Sequence, residues 1–377
     1  MIRRGRARLQ SISAPLGWAL LLLALVGQGS ARASTPAAGP ATGSPAAAEN
    51  SISFVGATAG AERPASSSVI ALSADGRRLV TVITDSNSIT IIDTLFRTPM
   101  IEVGVGKEPR TVALDPRGLT AFAAKFGDAS ISVIDVALGE VIATIGTERQ
   151  PYGVVVSPDG QSLYVSEAWS GTIAEFDTGT LARRRSIPVE ANPRELAVSA
   201  DGRRLFVTHF LTVQVSLIDL GEGSVRTVVS TGSESNAAQF IATHPSGEKA
   251  YLPHIRSRVS NPDLQFDTTI APVVSVIDLE CRALIERKEL GLDAIDRPVN
   301  MPFALAFSLD GGTLYSVNSG SNDLSIIDLE TGAGVGHVEL GDNPRGIVLT
   351  NNGRVAYIAN SLSDDVSVVD LAGQKTV

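Results

Sequence analysis

Seven glycine-containing turns recur along the chain at an almost constant interval. Successive turn glycines are separated by 42, 42, 42, 45, 64 and 42 residues, and each lies between a short apolar run and an aromatic or β-branched run. The glycines are Gly76, Gly118, Gly160, Gly202, Gly247, Gly311 and Gly353. A repeat in the low forties that holds several short strands is typical of a β-propeller, in which each repeat forms one blade. The spacing constrains the fold far more than it constrains the function.

Each repeat also has a constant internal layout. An Asp lies 17 residues after the turn glycine in six repeats, at Asp93, Asp135, Asp177, Asp219, Asp328 and Asp370. In the second repeat, alternating and β-branched residues predict four strands, over 111–114, 119–123, 130–134 and 140–145. The recurring Asp is expected to accept turn hydrogen bonds, and the Asp-Gly and Asn-Gly pairs supply the positive φ of tight hairpins.

The two ends of the chain are expected to meet in the last blade. The seventh repeat reaches Val377 where its fourth strand should begin. At the other end, residues 52–57 precede a Glu-Arg-Pro segment, much as the fourth strand of repeat two precedes Glu148-Arg149-Gln150-Pro151. The sequence therefore predicts an all-β, seven-bladed β-propeller of four-stranded blades, its last blade closed by the N-terminal strand. Such pairing removes the open strand edges that favour aggregation.

The first 50 residues have the composition of export and tether segments. Residues 1–33 combine four early Arg residues, a short apolar core at 15–27 and small residues before Ser34, as a signal peptide does. Cleavage after Ala33 is expected, which predicts a periplasmic or secreted protein without a stable membrane span; an uncleaved anchor is the alternative. Residues 34–50, almost all Ala, Pro, Gly, Ser and Thr, predict a flexible linker, and 51–377 one propeller domain.

Charge and cysteine content narrow the range of partners. Loss of the five Arg residues of the leader takes the formal net charge from −9 to −14. Such an acidic domain disfavours nucleic-acid binding, which depends on clustered Lys and Arg. Cys281 is the only cysteine, so no internal disulfide is possible, and its thiol is expected to be inert or partly buried. We expect a monomer.

Several segments resemble YVTN-type β-propeller repeats. They are Leu163-Tyr164-Val165-Ser166, Leu205-Phe206-Val207-Thr208, Leu314-Tyr315-Ser316-Val317-Asn318 and Ala356-Tyr357-Ile358-Ala359-Asn360, with the openings Pro151-Tyr152-Gly153, Asn192-Pro193-Arg194 and Asn343-Pro344-Arg345-Gly346. Blade five, at 251–256 and 266–269, also resembles bacterial propellers that precede a dihaem cytochrome c peroxidase-like module. This chain has no Cys-x-x-Cys-His, so we expect no haem c and no cofactor of its own. The resemblance implies another exported protein as partner, such as a c-type cytochrome or a peroxidase-like redox enzyme.

Blade five departs from the repeat on one face of the ring. Its glycine-to-Asp interval is 31 residues, which places 14 extra residues between strands two and three, and smaller additions precede blades five and six on the same face. Loops on a rigid scaffold commonly carry recognition. The candidate docking residues are His254, Arg256, Arg258, Leu264, Phe266 and Asp267, with Leu264 or Phe266 as an apolar anchor. The alternative is a loop that packs only its own apolar residues.

A second candidate site lies where the first strands begin, beside the central channel on that face. Arg110, Arg194 and Arg345 recur there, and Tyr152 and Phe303 occupy equivalent positions; we call these five residues the channel mouth. Guanidinium groups suit carboxylates and phosphates, so the mouth is a candidate receptor for an anion, including a haem propionate. The alternative is structural: each Arg pairs with a blade Asp or a carbonyl.

Signals of catalysis are weak. His209, His244, His254 and His337 lack metal-ligand spacing and are expected at the surface or in loops, and no catalytic residue or metal site is predicted. The leading hypothesis is an exported binding or scaffold protein that docks a partner through the blade-five face. The alternatives are a lactonase-like propeller with a metal in its channel, for which Glu195 is the only carboxylate in a predicted first strand, and a quinone- or haem-handling subunit. Whether the protein is an enzyme stays open.

Overall fold

The computed structural model describes residues 64–212, 214–232, 235–236, 238–257, 270–285, 290–292 and 298–377. Throughout these residues the chain forms strands, turns and bends without a helix, and accordingly no described helix could cross a membrane. Seven antiparallel sheets follow one another along the chain. The prediction of an all-β propeller with seven four-stranded blades is confirmed. The leader, the linker and residues 52–57 lie outside the described residues.

The first four blades share a regular layout. A short strand β1 (Ala65–Ser66) precedes blade one, which is β2 (Ile70–Leu72), β3 (Arg78–Ile83), β4 (Ser88–Asp93) and β5 (Thr98–Gly104). Blade two is β6 (Pro109–Leu114), β7 (Thr120–Lys125), β8 (Ser130–Asp135) and β9 (Glu140–Gly146). Blade three is β10 (Pro151–Val156), β11 (Ser162–Glu167), β12 (Thr172–Asp177) and β13 (Arg183–Pro188). Blade four is β14 (Pro193–Val198), β15 (Arg204–His209), β16 (Gln214–Asp219) and β17 (Ser224–Ser230).

Blade five differs from its neighbours because its first and fourth strands are each divided in two. It comprises β18 (Ser235–Asn236), β19 (Ala242–Thr243), β20 (Lys249–Ser257), β21 (Ile270–Asp278), β22 (Ala283–Leu284) and β23 (Leu290–Gly291). Blade six is β24 (Pro302–Phe307), β25 (Thr313–Asn318), β26 (Asp323–Asp328) and β27 (Ala333–Glu339). Blade seven is β28 (Pro344–Leu349), β29 (Val355–Asn360), β30 (Asp365–Asp370) and β31 (Lys375–Thr376).

The turns behave as their sequences predict. The seven turn glycines all have φ between 65° and 74°, which side chains with a Cβ rarely adopt. The Asp after each third strand accepts backbone hydrogen bonds: Asp177 Oδ1 accepts from Thr180 N–H at 2.7 Å and from Gly179 N–H at 3.0 Å. The bond from the Thr180 backbone, with smaller help from Arg184, lowers the pKa of Asp177 to about 2. This carboxylate therefore stabilises the fold above its unfolded pKa and ceases to do so as the pH falls towards 2.

Apolar side chains between neighbouring blades form the core. Phe122, Phe176 and Phe206, from blades two, three and four, are the largest of the fully buried residues. They alternate along their strands with residues that face the opposite side of the sheet, so each blade packs against both neighbours. We call the face with the turns between strands two and three, and with the connections between blades, the upper face. The opposite face, with the Asp-Gly turns, is the lower face.

The chain crosses the central channel before it begins blade one. Strand β1 pairs with the inner strand of blade four, with Ala65 opposite Val198. Ser67 N–H then donates to Leu196 O at 2.8 Å, and Ser68 bridges to Val112 of blade two. We call residues 65–69 the channel segment. It reaches the channel from the lower face, because Val198 ends β14 on that side.

The described part of the last blade ends with a short fourth strand. Residues 375–376 pair with β30, with Val369 opposite Thr376, so the seventh repeat does supply part of its own fourth strand. This strand begins just before Val377, where the sequence predicts its start. Along Asp365–Ser367 no described strand pairs with the outer edge of β30. The predicted closing strand at 52–57 remains outside the described residues.

Candidate functional site

The three mouth arginines all stack on aromatic rings. Each ring belongs to the same blade as its Arg or to the preceding blade. The distances from guanidinium carbon to ring centroid are 5.0 Å for Arg110 over Phe126, 4.3 Å and 4.7 Å for Arg194 over Tyr152 and Phe210, and 5.4 Å for Arg345 over Phe303. Such stacking holds a cation in place while leaving the edge of its guanidinium able to donate hydrogen bonds.

The polar partners of these arginines are local. Each bonds to the side chain two residues before it: Arg110 Nη2 to Glu108 Oε2 at 3.0 Å, Arg194 Nε to Asn192 Oδ1 at 3.1 Å, and Arg345 Nε to Asn343 Oδ1 at 2.6 Å. The structural alternative is thus met in part: Arg194 and Arg345 donate to side-chain carbonyl oxygens of Asn, whereas Arg110 pairs with a Glu and not with a blade Asp. Within the described ranges, neither Arg194 nor Arg345 forms an ion pair, so two stacked cations retain donors for an anion.

The aromatic mouth residues are buried. Tyr152 is 7% exposed and Phe303 6% exposed, and burial raises the pKa of the Tyr152 phenol. Thr111 Oγ1 donates to the backbone oxygen of Tyr152 at 2.5 Å, which ties blade two to blade three. Four of the five predicted mouth residues, all except Arg194, line one cavity of about 660 Å³. Equivalent places in the repeat therefore converge at one end of the channel, although their role in binding stays a prediction.

Glu195 is a buried carboxyl group in the channel. It is 3% exposed, and it lines the same cavity as the mouth residues. Ser67 Oγ of the channel segment donates to Glu195 Oε2, and Glu195 N–H donates to Thr208 Oγ1 at 3.1 Å. Burial raises the pKa of Glu195 to about 8, against the opposing effects of Ser67 and Arg194. At neutral pH the group is therefore mainly protonated and can act as a hydrogen-bond donor.

The insertion in blade five lengthens a hairpin. Strands β20 and β21 have nine residues each, whereas strands two and three of every other blade have six. His254 and Arg256 belong to β20 and pair with Val273 and Ala271, so placing them in a loop was wrong. Ile255 pairs with Pro272 and Ser257 with Ile270, so the ladder of this hairpin continues past the length of the other blades. Arg258, Leu264, Phe266 and Asp267 lie outside the described residues.

Two histidines are buried at the same place in their blades. His209 and His254 both stand seven residues after a turn glycine, are fully buried, and bond through Nε2 to Ser216 and Ser275 at 2.8 Å. Burial lowers the pKa of His254 to about 4, so the ring is neutral at pH 7.

The expectation of surface histidines is therefore wrong for these two, and for His337, which lies in β27 with a side chain only 6% exposed. The offset of seven residues from the turn glycine could have indicated that this position is not a surface one, because Asn318 and Asn360 occupy it in blades six and seven. His244 is in a lower-face turn, as expected. Cys281 is exposed, which corrects the prediction of a partly buried thiol.

Sequence reasoning missed a set of exposed apolar side chains on the upper face. Trp169, Leu211 and Leu362 each stand nine residues after a turn glycine, at the tip of the turn between strands two and three. Their exposed fractions are 69%, 69% and 71%. The shared offset of nine residues from the turn glycine is the sequence signal that could have revealed this set. Because the three turns belong to blades three, four and seven, the apolar tips are spread around the channel mouth.

Comparisons with known proteins agree with this architecture. A family described as "Lactonase, 7-bladed beta-propeller" matches residues 139–231, which span blades three and four. No curated protein matches the chain. The chain has the β-propeller fold. Solved structures similar to the propeller include a chain of Kuenenia stuttgartiensis hydrazine synthase, with 24% identity, a TM-score of 0.74 and coverage of 80% of this chain and 95% of that chain.

A second similar structure is the β-propeller domain of Myceliophteria thermophila Cps50 (Swd1). It has 12% identity and a TM-score of 0.61, and the alignment covers 81% of this chain and 97% of that chain. At such identities the likeness concerns the fold alone, and propellers carry many unrelated functions. The propeller's sites must therefore be judged from its own residues. None of the described residues forms a group of three or more His, Cys, Asp or Glu side chains that could hold a metal ion.

Proposed function

We propose that the protein is an exported binding module that docks a partner protein on its upper face. The observation that carries this proposal is the set of exposed apolar tips, Trp169, Leu211 and Leu362, around a mouth of stacked arginines. Trp and Arg are among the residue types enriched at protein interfaces, and the two Leu side chains add exposed apolar area beside them. A rigid ring also presents them in a fixed arrangement, which reduces the ordering cost of binding.

The arginines would orient the partner through its acidic groups. Arg194 and Arg345 are held by ring stacking and by one local hydrogen bond each, so little side-chain entropy is lost when they bind a carboxylate. The extended hairpin β20–β21 rises from blade five on the same face and adds contact area at its edge.

An exported redox protein, such as a c-type cytochrome or a peroxidase-like enzyme, is the partner that we favour. The blade-five resemblance supports it, and a propeller of this fold also occurs in hydrazine synthase. Export rests on the composition of residues 1–33.

The proposal predicts that removal of the apolar tips abolishes capture of the partner. The native envelope fraction would be passed over the immobilised mature protein, and eluates analysed by mass spectrometry and haem staining. A Trp169→Ala/Leu211→Ala variant should lose at least tenfold in capture of a stoichiometric partner, since buried aromatic anchors dominate interface energies. Its melting temperature should stay unchanged, because both side chains are exposed.

The matched control is Leu119→Ala/Leu309→Ala, which removes two lower-face side chains that are 51% and 48% exposed. It should capture the partner as the unaltered protein does. Equal capture by both variants, or equal loss, would contradict docking on the upper face.

A second candidate, hydrolysis of a lactone, is favoured by one residue. Glu195 is a protonated carboxyl in the channel and could donate a proton to a leaving oxygen, and the lactonase-type family matches residues 139–231. Purified protein should then hydrolyse δ-valerolactone above the buffer rate, and Glu195→Gln should return it to that rate. A rate no higher than buffer for the unaltered protein would rule against this substrate. Visible absorbance of the purified protein would instead favour the quinone- or haem-handling alternative.

A further inference from the structure

The blades do not pack equally around the ring. Between blades one and two, Ile134 is fully buried, and between blades six and seven Leu324 is fully buried. The equivalent residues between blades seven and one are Ile92 and Val366, and both are only half-buried. We call this junction the seam. A cavity of about 660 Å³ lies along it and opens into the channel mouth.

The seam is loose for identifiable reasons. The inner strand of blade one is only three residues long, because the chain before it occupies the channel. The described fourth strand of blade seven, β31, has only two residues. Apolar walls thus remain facing each other, with Leu79 and Ile92 on blade one and Tyr357 and Val368 on blade seven. A cavity of this volume with apolar walls is the common form of a small-molecule site.

Two of the residues that line this cavity have a buried polar atom for which no described residue is a hydrogen-bond partner. Asn360 Oδ1 is one of them, but this side chain lies on the face of blade seven turned towards blade six, where its Nδ2 donates to Asp365 and to Ser367 and its Oδ1 has no donor. In blade six the equivalent Asn318 Oδ1 accepts from Ser316, but Ile358 takes the place of that serine in blade seven. Arg110 Nε is buried and likewise lacks an acceptor. An unsatisfied buried polar atom is costly unless a bound group completes it.

The charges of the cavity differ between its two ends. Arg110 and Arg345 stand at the channel end, where the described residues give Arg345 no ion pair. Asp85, Asp364 and Asp365 stand at the upper rim. An anion is therefore favoured at the channel end and disfavoured at the acidic rim.

We propose that the seam binds a small amphipathic carboxylate: its apolar body lies between blades seven and one, and its carboxylate meets Arg345 and Arg110 at the channel end. The ligand is distinct from a docked protein, which would contact the exposed tips of the upper face. The site shares Arg345 and Leu362 with the proposed docking surface, but a small probe can be titrated into the free protein, so its binding is measured without docking.

The test uses 11-(dansylamino)undecanoic acid, which combines a carboxylate and an alkyl body. Titrated into the full chain, the dansyl emission should shift to the blue and saturate at one probe per protein. Arg345→Gln should weaken binding about tenfold, since a charge-assisted hydrogen bond is lost. Arg194→Gln is the matched control: it follows the same Asn-Pro-Arg sequence and is stacked in the same way, but it does not line the cavity, so binding should be unchanged.

Filling the seam provides an independent readout. Val368→Phe should abolish the blue shift and leave the melting temperature equal or higher, because a phenyl ring occupies the space between the walls. If that variant does not fold, Val366→Phe serves the same purpose from the neighbouring position on the same wall. The proposal is overturned if the unaltered full chain does not bind the probe, as when its own residues fill the seam. Binding that survives both filling variants, or that falls equally in Arg194→Gln, would overturn it too.

Discussion

Glu195→Gln is expected to stabilise the protein by several kcal/mol at pH 8 and to have little effect at pH 4. The pKa of Glu195 is about 8 in the folded protein, against 4.5 for an ordinary Glu. Because the folded state holds this proton more tightly than the unfolded state, stability falls as the pH rises from about 4.5 to about 8. A difference of one in pKa corresponds to about 1.4 kcal/mol, so the whole loss is roughly 4–5 kcal/mol. A glutamine is neutral throughout and escapes this loss.

Urea unfolding at pH 4, 6 and 8 would measure this effect as a difference between variant and unaltered protein. The difference is needed because His254 acts with the opposite sign. Its pKa is lowered to about 4, so its contribution to stability is lost as the pH falls from 6.5 towards 4. The difference curve cancels His254 and should rise steadily with pH.

Glu167→Gln provides the control for the removal of a buried carboxylate. Glu167 is fully buried and pairs with Arg183 at 2.6 Å, so its replacement should destabilise the protein at pH 8. A Glu195→Gln variant that is also destabilised at pH 8 would show that the carboxylate, not the acid, is the form held in the channel.

Gly153→Ala is expected to cost about 1–3 kcal/mol of stability, the range found for overpacked sites. Gly153 lies where the pairing of β10 with β11 shifts register, and its N–H donates to Ser166 Oγ at 2.8 Å. A Cβ there would run into the backbone oxygen of Arg194, and would stand 3.1 Å from Ser67 Oγ. A backbone oxygen cannot move aside as a flexible side chain can, so blades three and four would have to separate.

Thermal unfolding of Gly153→Ala beside Gly146→Ala tests this crowding. Gly146 ends β9, and no atom of the described residues lies within 4 Å of the place that an added methyl group would take, so its replacement should change stability by no more than about 0.5 kcal/mol. Equal melting temperatures for the two variants would show that the approach of Arg194 to Gly153 is not a close one in solution.

The sequence predicts those features that depend on short-range contacts within each repeat. The turn glycines, the Asp residues after the third strands and the number of blades follow from short-range turn chemistry repeated seven times. The convergence of Arg110, Arg194 and Arg345 follows too, because equivalent positions in a ring share one end of the channel. Family likeness beyond the propeller fold, and the export signal, remain predictions.

Features that depend on residues far apart in the sequence, or on differences between blades, could not be predicted from the repeat. The channel segment pairs with β14, far along the chain, and nothing in its short Ala-Ser-Ser-Ser sequence announces that pairing. Asn360 Oδ1 lacks a hydrogen-bond donor among the described residues because Ile358 stands where blade six has Ser316. This difference can be recognised only when the two blades are superposed. His254 was misplaced because strand length, not loop length, absorbed part of the insertion.

The channel segment also sets an order of events as the chain folds. Ser67 and Glu195 are 128 residues apart, and Ser66 Oγ donates to Ile241 O across 175 residues. Blade one is synthesised first, yet the residues leading into it cannot settle until blades four and five exist. Contacts this distant in sequence slow folding, because a long loop must close before they form. Ring closure and the seating of the segment are therefore a late, shared step, and a chain truncated before blade five should lack a seated channel segment.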